Sequence, residues 1–220
     1  MSSTLIQMIY ETQQCLGASG VASVVTGSIA MNYHGVDVVV HDIEVCVPAK
    51  QARLASWALE ARSDLYELLP SIQQPDFYHP FKTGAACFRF RTLEGGLQLH
   101  LLADTALCLD VAAQPVHTGL QLDQARPELK DLCVPNDETA LAHIAWPTLE
   151  ALLNGYLRLA VQYSGSEEEI ILLMHAERLI DANEIDQDWC DLRLNDKAIG
   201  LLAMQLQLGK KHRQEQSDWV

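Results

Sequence analysis

Two carboxylates two residues apart, Asp42 and Glu44, follow a Gly27-Ser28 turn after a gap of thirteen residues. Alternate side chains of a strand share a face, so Asp42 and Glu44 project to one side while Ile43 and Val45 project to the other. Paired carboxylates backed by an apolar anchoring face can share a hard cation. Mg²⁺ takes oxygen ligands and typically combines one or two carboxylates with substrate phosphates. The apolar run 21–25 reads as a buried strand, and Gly27-Ser28 lets backbone N–H groups come close to a phosphate as a helix begins. Strand, glycine turn, short helix and carboxylate strand together point to metal-assisted nucleotide chemistry. Taken singly, each half is also an ordinary turn or a solvated sheet face.

The stretch Val24-Val25-Thr26-Gly27-Ser28-Ile29-Ala30-Met31-Asn32-Tyr33-His34-Gly35, continuing through His41-Asp42-Ile43-Glu44-Val45-Cys46-Val47-Pro48, resembles the signature of the polymerase-beta-like nucleotidyltransferase superfamily. The wording is closest to small fungal members, with relatives among bacterial AbiEii-type and antibiotic-modifying nucleotidyltransferases. The motif covers residues 24–48, and weaker similarity extends to about residue 160. The resemblance implies an α/β (α+β) fold, a mixed β-sheet core flanked by helices. It implies further that Gly27 and Ser28 hold the triphosphate of an NTP and that Asp42 and Glu44 bind Mg²⁺, or Mn²⁺ in its place.

In that family a third carboxylate from a neighbouring strand activates the attacking hydroxyl. Here the corresponding strand reads Gly96-Leu97-Gln98-Leu99-His100-Leu101-Leu102, which puts His100 at the third position. A neutral imidazole brings no negative charge and is a poor Mg²⁺ ligand, though it suits Zn²⁺ or Mn²⁺. With an ordinary pKa near about 6.5, His100 could act instead as a general base. A lone histidine on an apolar strand is also a common core residue. Asp104 is the nearest substitute carboxylate, about 13 Å further along an extended strand. The arginine that relatives often carry shortly after the helix-ending glycine is missing from Gly35-Val36-Asp37-Val38-Val39-Val40-His41. Lys82, Arg89 and Arg91 are the candidate phosphate contacts, with a solvated strand edge as the alternative for each.

The 220 residues are enough to bury a substantial core, and the expected organisation is a nucleotidyltransferase-like α/β core over 1–135 with a helical region over 136–220 packed on it. No apolar run is long enough to span a bilayer, and residues 1–20 lack a basic start followed by an apolar core, so a cytoplasmic, non-membrane protein is expected. Six dispersed cysteines without a CxxC pair read as reduced thiols rather than a zinc or redox motif. The net charge of −14 disfavours RNA or tRNA as a partner, and from Ser164 to Asp196 ten acidic residues face two basic ones. A phosphate-bearing small molecule is the partner the motif suggests.

The elements that must position these residues follow from periodicity. Helices are expected over 5–16 and 50–69, the latter closed by Pro70. A proline- and aromatic-rich loop over 73–80 could wall a pocket or simply connect. A hairpin is expected over 85–102 around Leu93-Glu94-Gly95, with Phe88 and Phe90 on one face and Arg89 and Arg91 on the other. Further on, Pro147 fits the first turn of a helix over 149–162. Ser166-Glu167-Glu168-Glu169 has the form of a capping box ahead of a helix whose buried stripe would be Ile170, Leu173, Met174 and Ile180.

Three functions remain open at this level. The first is metal-dependent nucleotidyl transfer from NTP to an unknown acceptor, with Asp42 and Glu44 on the metal and His100 as base or ligand. The second is a repurposed enzyme of fungal secondary metabolism, for example an aminoacyl-tRNA-dependent cyclodipeptide synthase. The third is a catalytically inactive nucleotide- or protein-binding member.

Overall fold

The computed structural model describes residues 4–70, 80–91, 97–113, 116–194 and 196–217, with side chains described as far as Lys210. The chain divides into two compact units, 1–148 and 149–220.

The first unit is built on a five-stranded mixed sheet. In chain order its elements are α1 (Leu5–Ala18), β1 (Val24–Thr26), α2 (Gly27–Tyr33), β2 (Ile43–Val47), α3 (Ala52–Glu60), β3 (Tyr66–Leu69), β4 (Ala86–Phe90), β5 (Gln98–Ala103), β6 (Val116–His117), α4 (Pro127–Lys130), α5 (Glu138–His143) and β7 (Trp146–Pro147). The strands run in the order β1-β2-β5-β4-β3, while β6 and β7 form a separate two-stranded ribbon. β2 and β5 are parallel and the other sheet neighbours antiparallel. That parallel pairing places the carboxylate strand directly beside the strand of His100.

Alternation explains which side of the sheet is core. Val25, Ile43, Val45, Leu99, Leu101, Phe88 and Phe90 pack with Ile6, Ile9 and Leu16 of α1 and with Ala55 and Leu59 of α3 in one apolar cluster. Thr4 caps α1 by accepting the Gln7 N–H at 3.1 Å. Burying Phe88 or Leu99 completely is worth about 1.5–3 kcal/mol each before entropy, so this face supplies the anchoring that the alternation predicts.

Sequence periodicity misplaces several element ends. The helix expected over 50–69 stops at Glu60, and Tyr66–Leu69 is instead the edge strand β3, paired antiparallel with β4. Tyr66 is the physical reason: its ring enters the core beside Phe88 and Phe90, and its hydroxyl lies 3.1 Å from that of Thr12. Pro147 lies in β7 rather than in a helical turn. The turn at 93–95 and the loop 73–79 lie outside the described residues, while Pro80–Lys82 form a 3-10 turn.

The second unit consists of α6 (Leu149–Gln162), α7 (Glu167–Ala182), α8 (Gln187–Arg193) and α9 (Lys197–Ser217). Ser166 does sit at the N-cap of α7, but its side chain makes no capping bond. Glu169 caps the turn instead, accepting the Gly165 N–H at 2.6 Å and the Ser164 hydroxyl at 3.4 Å. The buried stripe of α7 is Ile171, Leu172, Ala176, Leu179 and Ile180. Ile170, expected inside, is 64% exposed. Among the described residues, no helix is long and apolar enough to cross a membrane.

Candidate functional site

The face of the sheet opposite the apolar cluster carries the polar residues. Thr26 is the register partner of Glu44, Glu44 of His100, and His100 of Cys87, so a transverse row runs across β1, β2, β5 and β4. Asp42 precedes β2 by one residue and, at 25% side-chain exposure, forms the solvent edge of the group. Sequence alternation thus placed Asp42 and Glu44 together, and the parallel β2–β5 register brings His100 to them: its Nε2 lies 3.5 Å from Asp42 Oδ2. Asp104 does not take the third carboxylate position. Its side chain accepts the Ala49 N–H at 2.9 Å in the turn after β5.

The residue that organises the cluster is Lys82. Its Nζ donates to Asp42 Oδ2 at 3.1 Å and lies 2.9 Å from Glu44 Oε1, and the side chain is 2% exposed. Burial alone would lower the Lys82 pKa, yet Glu44 and then Asp42 hold it above the ordinary lysine value. For Asp42, burial would raise the carboxyl, but the His100 contact and the Lys82 charge together hold it well below the usual carboxylate range. The sequence offers Lys82 as a candidate phosphate contact, with a solvated strand edge as the alternative. In the folded chain it is paired with the two carboxylates, and no signal in Pro80-Phe81-Lys82 reveals that pairing.

Gly27 opens α2 in the left-handed region, with φ +64°, and a Cβ added there would collide with the Glu44 carboxylate. The glycine is therefore needed for close approach, but the group that approaches is the protein's own carboxylate. Ser28 follows it in α2, half-buried. Arg89 lies on the same face as Cys87 and His100 by alternation, yet it is exposed and sits 3.7 Å from Glu67 on the edge strand. Arg91 is exposed beyond the end of β4, where its backbone N–H bonds Leu65 O at 2.9 Å. Cys87 donates to Gln98 Oε1 at 3.1 Å, and burial pushes its thiol pKa up, which leaves it a poor nucleophile. No disulfide is present among the described residues.

The donor set does not fit a divalent cation. An ammonium occupies the space between the two carboxylates, the third position holds an imidazole, and among the described residues no group of three His, Cys, Asp or Glu side chains could hold a metal ion.

No family model matches the sequence, and no curated protein matches it significantly. Among solved structures, the fold is similar to that of an antigenic nucleotidyltransferase-like protein from Paracoccidioides brasiliensis, with a TM-score of 0.56 and 12% identity over 97% of this chain and 90% of that one. A second match is the crystal structure of ANT(2″)-Ia in complex with adenylyl-2″-tobramycin, with a TM-score of 0.44 and 9% identity over 90% of this chain and 94% of that one. At 12% identity the likeness to the first of these is one of fold: a mixed sheet flanked by helices, arranged as in that nucleotidyltransferase-like protein.

Proposed function

We propose that this chain is a binding member of the nucleotidyltransferase fold in which metal-assisted nucleotidyl transfer has been lost. The observation that carries the reading is the Lys82 ammonium bridging Asp42 and Glu44 at 3.1 and 2.9 Å. It supplies internally the positive charge that Mg²⁺ or Mn²⁺ would bring to an active relative.

A magnitude supports the choice. To admit a divalent cation, Lys82 would have to leave both partners, and breaking a buried ion pair costs about 3–5 kcal/mol. That cost weakens apparent metal affinity by roughly two to four orders of magnitude. Glu44 adds to the argument, because its carboxylate lies against Gly27, where the family resemblance would put a triphosphate. Anion would meet anion there.

Calorimetric titration of the whole protein with ATP, with and without Mg²⁺ or Mn²⁺, tests the reading. The expected result is no metal-dependent heat of nucleotide binding. Saturable binding of MgATP that disappears in Asp42→Ala would return the site to nucleotidyl transfer.

A further inference from the structure

A cavity of about 360 Å³ opens on the α3 side of the sheet, where β4 stops short of the end of β5. Ala86, the first residue of β4, pairs with Leu101, so Leu102 and Ala103 run on past it. The space beside them is bounded by Ala52 and Ser56 of α3, by Phe81 and by Ala106. Three of those side chains are single methyl groups, which is why the corner stays open. Its volume lies at the lower end of small-molecule sites, which begin at about 300 Å³. At the roughly 30 Å³ that a water takes up in the liquid, there is room for about a dozen heavy atoms.

The chemistry of the lining selects the occupant. In a chain of net charge −14, Arg53 is the one charged group among the described lining residues. It is exposed at the edge of the cavity and lies over the Trp57 ring, 4.4 Å from the centroid. That cation–π contact steadies the guanidinium and leaves the N–H donors, which lie in its plane, for an oxygen ligand. Ser56 donates to Glu60 Oε1 at 2.8 Å, so its oxygen can only accept, whereas Thr83 brings a hydroxyl donor. A polyanion would find one cation against hydrocarbon walls, and an amine would meet a like charge. A neutral hydrocarbon would leave the guanidinium unused. A single carboxylate on a short apolar chain uses both the walls and the cation.

We propose that this cavity binds a small aliphatic carboxylate, with its chain against Phe81, Leu101 and the alanines and its carboxylate on the Arg53 guanidinium. Thr83 supplies a second donor to the same group. The site goes beyond the loss of nucleotidyl transfer, because none of Asp42, Glu44, Lys82 and His100 lines the cavity. Its success or failure therefore leaves the reading of the Lys82 cluster where it stands.

Equilibrium dialysis of the whole protein against radiolabelled octanoate tests the proposal. Octanoate should bind saturably with one equivalent per chain. Butanoate, which keeps the carboxylate and loses four methylenes, should compete at least tenfold more weakly. Octan-1-ol, which keeps the chain and loses the charge, should compete at least fivefold more weakly, and Arg53→Gln should weaken octanoate by a similar factor. Ala52→Leu, which fills the cavity from a helix position that accepts leucine, should abolish binding. Absence of saturable binding at millimolar octanoate would overturn the proposal. Equal competition by octan-1-ol, or unchanged affinity in Arg53→Gln, would overturn the carboxylate assignment, and equal competition by butanoate would overturn the cavity as the seat of the chain. Arg53 is exposed, so its substitution spares the core, and the comparison of the three probes on the wild-type protein decides without any variant.

Discussion

The two faces of the five-stranded sheet are built from alternate residues of the same strands, yet they are stabilised in opposite ways. Val25, Ile43, Val45, Leu99, Leu101, Phe88 and Phe90 on one face pack against α1 and α3 and contribute through area removed from water. On the other face Glu44, His100 and Lys82 are equally buried, but each takes its place through charge and hydrogen bonding. A methyl group lost from the first face leaves a void. A charge lost from the second leaves its partner stranded, which is why burial measures very different risks on the two sides.

The largest expected effect separates the faces directly. Lys82→Met should destabilise by about 3–5 kcal/mol in urea denaturation, because two buried carboxylates lose their shared cation. Replacing the whole cluster, with Lys82→Met, Asp42→Leu and Glu44→Leu together, should recover that loss and end neutral or up to about 4 kcal/mol more stable. If the triple variant is as unstable as the single one, the polar face is held by packing and the contrast between the faces fails.

The next effect concerns pH, where the apolar face should contribute nothing. His34 caps the end of α2, its Nε2 lies 3.0 Å from Pro147 O, and burial, partly offset by that hydrogen bond, pushes its pKa down to about 4. The unfolded chain therefore binds the proton more readily, and stability present above about 6.5 should decline as pH falls toward about 4, by roughly 3 kcal/mol at most. The Asp42 pairing has the sign of a lowered carboxylate: its stabilisation is complete above the ordinary carboxylate pKa and is lost only as pH falls through its still lower folded value. Thermal melts from pH 8 to pH 4 should thus show the histidine limb alone. His34→Gln should flatten it, and a limb that persists in that variant would show that His34 is not its source.

The smallest effect lies at the rim of the polar face. Arg89 and Glu67 are both substantially exposed and 3.7 Å apart, so Arg89→Ala should change stability by less than about 0.5 kcal/mol. A larger change would extend the charged cluster to the sheet edge.

Much of this arrangement is legible in the chain itself. The period-two alternation of Asp42-Ile43-Glu44-Val45 and of Phe88-Arg89-Phe90 settles which side chains share a face, because a strand allows only two directions. Gly27 is legible too, since a glycine at a strand-to-helix turn signals close approach by another group. Less legible were the ends of elements. Tyr66–Leu69 continue the apolar spacing of α3 yet form an edge strand, because pairing with β4 and burial of the Tyr66 ring outweigh local periodicity.

What the sequence by itself determined is therefore a fold pattern and a face on which two carboxylates meet. The identity of their counter-ion was decided only in three dimensions. The parallel β2–β5 register sets His100 beside Asp42, and the turn at Pro80–Lys82 delivers an ammonium from forty residues away in sequence to Asp42 Oδ2. Strand periodicity acts between near neighbours, while electrostatic neutralisation is settled by whichever charge the folded chain brings within about 3 Å.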